Sequence, residues 1–105
     1  MVNNSFIEKC KSIVLENNED LTIPIFCKKL CLSRSQVHNL ITRYCNKSTS
    51  IFIRDIRLEL SKELLKDPSL TISEIAYKVG FSNPSYFSRM FKEKYFITPK
   101  EYKNI

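Results

Sequence analysis

The chain has 105 residues, room for one domain with one modest core, and its 43% hydrophobic content with a single glycine argues for a globular helical fold and against disorder. No apolar run approaches the ~18 residues of a membrane span and the N-terminus has no signal-peptide core, so the expectation is a cytoplasmic protein without membrane contact. Lys and Arg total 17 against 11 Asp and Glu, a net +6, and residues 1–30 hold four of each sign, so the whole surplus lies in residues 31–105. A surplus confined to one part suggests a polyanion partner, with a merely solvated basic surface as the alternative.

The first predicted helix runs from Asn3 to Glu16, with Ser5 and Glu8 as a capping box and Phe6, Cys10, Ile13 and Val14 as its apolar face. Residues 17–20 are polar and interrupt the pattern. Residues 21–33 begin a short helix and a corner. Ser33 with Gln36 forms a second capping box, which predicts a helix from Arg34 to about Tyr44. Val37, Leu40 and Ile41 are its apolar positions, and Arg34, Ser35, His38, Asn39 and Arg43 lie on the solvent side. Residues 46–50 form a polar break. A long helix is then expected over Ile51–Lys66, with Phe52, Ile53, Ile56, Leu60 and Leu64 on one side and Leu58 and Leu65 elsewhere. Apolar residues on more than one side of a helix require cover on more than one side. Asp67-Pro68 stops it.

From Leu70 onward the chain repeats itself. Thr71 and Glu74 make a capping box, and Ile72, Ile75, Ala76 and Val79 share one helix face. Gly80, the only glycine, falls where the helix ends and a positive φ is needed. Ser82 or Asn83 caps the next helix and Pro84 suits its first turn. Tyr86, Phe87, Met90 and Phe91 form an apolar stripe, leaving Ser85, Ser88, Arg89 and Lys92 on the other face. Thr98-Pro99 with Glu101 caps a closing helix. Aligned at an offset of 49, residues 21–33 and 70–82 share Leu21/Leu70, Thr22/Thr71, Ile23/Ile72, Lys29/Lys78 and Ser33/Ser82. Beyond Ser33 one residue is inserted in the second copy, and Val37, Leu40 and Ile41 pair with Phe87, Met90 and Phe91. The reading is therefore all-α, with two helix-turn-helix units (about residues 3–45 and 70–105) joined by a linker helix (about 50–66). A recognition helix fits the major groove of B-DNA, and a second copy in the same chain can reach the next groove segment without a second subunit. The copies differ in sequence, which predicts an asymmetric site.

The stretch ISEIAYKVGFSNPSYFSRMFKEKY followed by TPKEY resembles the signature of the AraC/XylS family of bacterial transcription regulators. LSRSQVHNLI and FIRDIRLELSKELL resemble that family's first recognition helix and bridging helix, so the likeness covers nearly the whole chain. It implies about seven helices in two homeodomain-like units, a role in transcription regulation as an activator, and double-stranded DNA as partner, with RNA polymerase as a second. Carried over position by position, it implies base-facing roles for Ser35, His38 and Asn39 in the first unit. In the second it implies them for Ser85, Tyr86, Ser88 and Arg89. LSRSQ with FIRDIRL resembles the C-terminal output domains of multidomain regulators. The favoured expectation is therefore a fragment fused to a sensor or dimerisation domain, with a stand-alone regulator as the alternative. Five positions depart from the family: Cys31, Asn46 and Phe96 stand where glycine is usual, and Asn39 and Leu40 stand where basic residues are frequent, which implies a weaker hold on DNA by the first unit.

Arg34, Arg43, Lys47, Arg54, Lys78 and Lys92 are candidate phosphate contacts, and equally ordinary helix-surface charges. Arg89 has an alternative partner in Glu93, Tyr86 has an alternative place in the core, and Gln36 reads as a cap. Cys27, Cys31, His38 and Cys45 have zinc-ligand chemistry, but Cys27 and Cys31 match Ala76 and Gly80 of the other copy and so read as a small core residue and a corner residue. No cofactor, metal or catalytic residue is expected. There is no second histidine, phosphate-binding glycine loop or evident carboxylate pair, which argues against an enzyme. The four cysteines should be reduced in the cytosol. A helical protein-interaction module without DNA reading remains the rival.

Overall fold

The computed structural model describes residues 4–17 and 21–105. Seven helices follow in order: α1 (Asn4–Asn17), α2 (Ile23–Leu30), α3 (Arg34–Cys45), α4 (Thr49–Leu64), α5 (Ile72–Lys78), α6 (Pro84–Tyr95) and α7 (Pro99–Lys103). Among the described residues there is no strand, and no helix is long and apolar enough to cross a membrane.

Side-chain caps fix the helix starts, because the first N–H groups of a helix have no partner within it. The Ser33/Gln36, Thr71/Glu74 and Thr98/Glu101 capping boxes all form, with each serine or threonine oxygen accepting from the third helical N–H and each glutamine or glutamate oxygen accepting from the cap N–H. These hydrogen bonds hold the Glu74 and Glu101 carboxyls below the usual carboxylate range. Asn83, not Ser82, caps α6: its Oδ1 accepts from the N–H groups of Ser85 and Tyr86. The expected Ser5/Glu8 box does not match the helix start. Helix α1 begins at Asn4, so Ser5 lies inside it and the capping position falls outside the described residues. The polar break expected at residues 17–20 also lies mostly outside them.

The long helix starts two residues earlier than the apolar pattern suggests. Ser48 caps it by accepting from the Ile51 N–H, and it ends at Leu64, before Asp67-Pro68. Its two sides belong to different cores. Phe52, Ile53 and Ile56 join Cys10, Ile13, Val14, Leu21, Phe26, Cys27, Leu30, Val37 and Ile41. Leu58 and Leu65 join Ile75, Ala76, Val79, Phe81, Phe87, Met90 and Phe91. Leu64 packs on the second core and not beside Phe52, a correction to the one-sided grouping. Half-buried Leu60 touches both cores.

The two cores are built on one plan. Phe26 and Ile75 are fully buried at equivalent places, as are Val37 and Phe87, and Ile41 and Phe91. In the second core rings propagate the packing: Phe81, Phe87 and Phe91 follow one another at centroid distances of 5.2 and 5.9 Å, and Tyr95 and Tyr102 meet Phe91 edge-on at 4.7 and 5.7 Å. Each buried phenylalanine contributes ~1.5–3 kcal/mol, and the edge-on contact of half-buried Tyr102 with Phe91 fastens the short helix α7. Burial also pushes the Cys10 thiol up to about 12, keeping it protonated in the first core.

The repeat extends further than the sequence alignment. Residues 41–50 and 91–100 have the same sequence of helix end, bend, cap and new helix, and the same burial at every position. The start of α4 thus plays for the first unit the part that α7 plays for the second. Helices α3 and α6 both end on a left-handed residue: Asn46 at φ 55° and Phe96 at φ 69°. The corners before them use Cys31 at φ 59° and Gly80 at φ 104°. Asparagine tolerates this region, whereas Phe96 is held there while 85% exposed, so backbone strain at that residue is offset by little burial. Phe96→Gly is expected to raise unfolding free energy by ~0.5–1 kcal/mol, the left-handed penalty removed less the added entropy of the unfolded chain. Urea denaturation checks this, and a decrease would mean that the Phe96 ring makes a contact worth more than its strain.

Candidate nucleic-acid interface

In each unit a short helix, a left-handed corner and a capped second helix set one exposed face. Thr22 caps α2 by accepting from the Ile25 N–H, and the Cys31 N–H returns to the carbonyls of Cys27 and Lys28. Leu32 then drops into the first core, and Ser33 starts α3. Arg34, Ser35, His38 and Asn39 are all exposed on the face of α3 opposite Val37 and Ile41. They line an open groove with Ile23 of α2 and with Ser48, Thr49 and Ser50 at the start of α4. Ser48, Thr49 and Ser50 were absent from the sequence-level candidates. The equivalence of Ser48 to Thr98 in the repeat is the signal that identifies this junction.

In the second unit Ser85 and Arg89 are exposed and Ser88 is half-buried on α6. Tyr86 is 37% exposed and so lies at the edge of the apolar stripe, outside the second core. Its ring leans on Phe81 at 6.0 Å, and the Arg89 guanidinium sits over it at 5.4 Å. No ion pair joins Arg89 to Glu93 among the described residues; the guanidinium is held by the ring, an arrangement that leaves its N–H groups available.

The six candidate phosphate ligands divide into two groups. Arg34, Arg43, Lys78 and Lys92 are exposed, and none forms an ion pair among the described residues. Lys47 and Arg54 are half-buried between the units. The Lys47 ammonium lies 2.7 Å from the Asp55 carboxylate. Arg54 donates from Nη1 to the Met90 sulfur at 3.3 Å, and its buried Nε has no hydrogen-bond partner among the described residues. Neither is presented as freely as the sequence suggested. Cys27 is buried and Cys31 is exposed at its corner, the places that the repeat assigned to them.

Two helix-turn-helix units in tandem, each displaying a helix of small polar and basic side chains, define the DNA-binding domain of a transcription regulator. Residues 26–105 match the family described as a helix-turn-helix domain. Similar proteins include a histidine kinase P4 of Formosa agariphila, 35% identical over 98% of this chain; the chain spans only 8% of that protein's length. Among solved structures, a Chromobacterium violaceum transcriptional regulator with an AraC-type DNA-binding domain superposes with a TM-score of 0.82, at 26% identity over 92% of this chain and 88% of that one. The C-terminal domain of the two-component response regulator yesN from Fusobacterium nucleatum gives 0.76, at 30% identity over 96% of this chain and 99% of that one. The chain belongs to the AraC/XylS-type helix-turn-helix DNA-binding domains of transcription regulators.

Proposed function

We propose that the chain binds double-stranded DNA sequence-specifically, with α3 and α6 in successive major-groove segments of one asymmetric site. The observation that carries this reading is the duplication of the whole corner, recognition helix and second corner, with unlike exposed side chains on the two copies. The longest dimension of the molecule, 40 Å, is comparable to one duplex turn of ~34 Å. Ser35, His38 and Asn39 are the first unit's base-edge readers, with the Asn39 amide suited to adenine. Ser85, Tyr86, Ser88 and Arg89 are the second unit's, with Arg89 suited to guanine. Arg34, Arg43, Lys78 and Lys92 supply phosphate contacts; Lys47 and Arg54 join them where the backbone passes between the units.

The kinase and response-regulator relatives support a role as the output module of a larger regulator, whose remaining parts would sense a signal or dimerise. Activation through a contact with RNA polymerase belongs to the same reading and would use a surface other than the two recognition helices.

Selection of bound duplexes from a random pool is the direct test. It is expected to return one non-palindromic site with two informative blocks. Recovery of no sequence above background, with binding insensitive to salt, would favour a protein-interaction module instead. Within the selected site, Arg89→Ala is expected to weaken specific binding by ~1–3 kcal/mol and relax one position in the second block. Equal losses on specific and random duplex in a titration would reassign Arg89 to phosphate.

A further inference from the structure

Among the described residues the two cores are separate clusters, Leu60 alone touches both, and α4 lends Phe52, Ile53 and Ile56 to one and Leu58 and Leu65 to the other. Polar side chains of α4 add a second set of contacts across the junction. Arg54 reaches Met90, Asp55 reaches Lys94 at 3.6 Å, and the Tyr95 hydroxyl donates to Glu59 at 2.9 Å. Lys62 adds its ammonium over the Tyr95 ring at 4.7 Å. Burial and the Glu59 contact, in that order, push the Tyr95 phenol up, so it stays a hydrogen-bond donor. Asp55, Glu59 and Lys62 lie at spacings of four and three along α4, with Arg54 next to Asp55, on the side that faces the second half of α6.

Asp55 differs from the rest of the stripe. The same carboxylate oxygen that meets Lys94 of α6 also meets Lys47 at 2.7 Å, in the turn that leaves α3. Its side chain is only 15% exposed, so water screens these pairs less than it would at the surface. One carboxylate thus ties the exit of the first recognition helix and the exit of the second to the helix between them. Lys47 and Lys94 do not correspond in the repeat, being equivalent to Ile97 and Tyr44, so this arrangement belongs to the junction and not to either unit.

We propose that Asp55 is a positioning residue that fixes the angle between α3 and α6, and with it the spacing between the two blocks of a DNA site. The proposal rests on the two-helix reading above. Helix α4 sets the distance between the units; Asp55 restrains the rotation of α6 about it. Loss of the pair to Lys94 leaves that angle to the packing of Leu58 and Leu65 against Phe87, Met90 and Phe91 alone, with both cores and both reading faces intact.

The test compares the full chain with Asp55→Asn, Lys94→Gln and the double variant on a duplex library in which the spacer between the two selected blocks varies. The unaltered chain is expected to prefer one spacer length. Each single variant should reduce that preference over spacers one base pair longer or shorter by about fivefold, and the double variant no further than Asp55→Asn alone, since the Asp55–Lys94 pair is lost in all three. The overall affinities should move in opposite directions. Asp55→Asn removes a negative charge and releases two ammonium groups toward phosphate, so it should tighten binding to random duplex, whereas Lys94→Gln should weaken it. Single variants that lose or gain affinity equally at every spacer length would overturn the proposal while leaving the two-helix reading in place. Failure of the unaltered chain to select any two-block site would overturn that reading first.

Discussion

Helix α4 cannot be buried by one unit. Phe52, Ile53 and Ile56 need the first core, Leu58 and Leu65 need the second, and the two sets point to different sides of one sixteen-residue rod. Burying both sets forces the chain to place a helix-turn-helix unit at each end of the rod. It also sets the separation between the units, because a helix of this length is ~24 Å long and resists bending in the absence of proline or glycine. Everything functional in the molecule inherits that geometry. The exposed faces of α3 and α6 are each defined by what they bury, Val37 and Ile41 on one and Phe87, Met90 and Phe91 on the other. The placement of those buried residues is in turn defined by the ends of α4.

Two copies of one plan need not do the same work. Their buried positions are equivalent, but their exposed positions diverge: Ser35, His38 and Asn39 in one, Ser85, Tyr86, Ser88 and Arg89 in the other. The first presents small polar groups in a groove shared with the start of α4. The second presents an arginine stacked on a tyrosine, an exposed and positively charged pair. The left-handed corners also diverge. Glycine occupies only one of the four, and the chain accepts cysteine, asparagine and phenylalanine at the others. Packing of the helices on either side fixes those turns more strongly than the local preference of the residue opposes them.

Much of this was legible in the sequence because it rests on short-range rules. Capping boxes at Ser33, Thr71 and Thr98 obey a fixed three-residue spacing, and all three form. The positive φ at Gly80 and the two-sided burial of the long helix likewise follow from residue type and period. What escaped depends on tertiary context. Thr49 and Ser50 look like a polar loop, whereas the Ser48 cap and the burial of Thr49 make them the first turn of α4. Leu64 was assigned to the wrong side because a one-helix projection cannot say where one core stops and the next begins. The capture of Lys47 by Asp55 joins residues eight apart across the bend between α3 and α4, whereas the stacking of Arg89 on Tyr86 follows a three-residue helical spacing. The exposed candidates were therefore easier to name than the half-buried ones, Lys47 and Arg54, whose charges are already engaged.

The central claim is that one polypeptide reads two neighbouring turns of a duplex with two unlike helices. Methylation interference at guanine N7, on a complex whose stoichiometry is fixed by sedimentation, measures this most directly, since N7 lies in the major groove. The account predicts two clusters of interference on one face of the duplex, about ten base pairs apart, in a complex with a single chain. A single cluster, or two that appear only when two chains are bound, would contradict it.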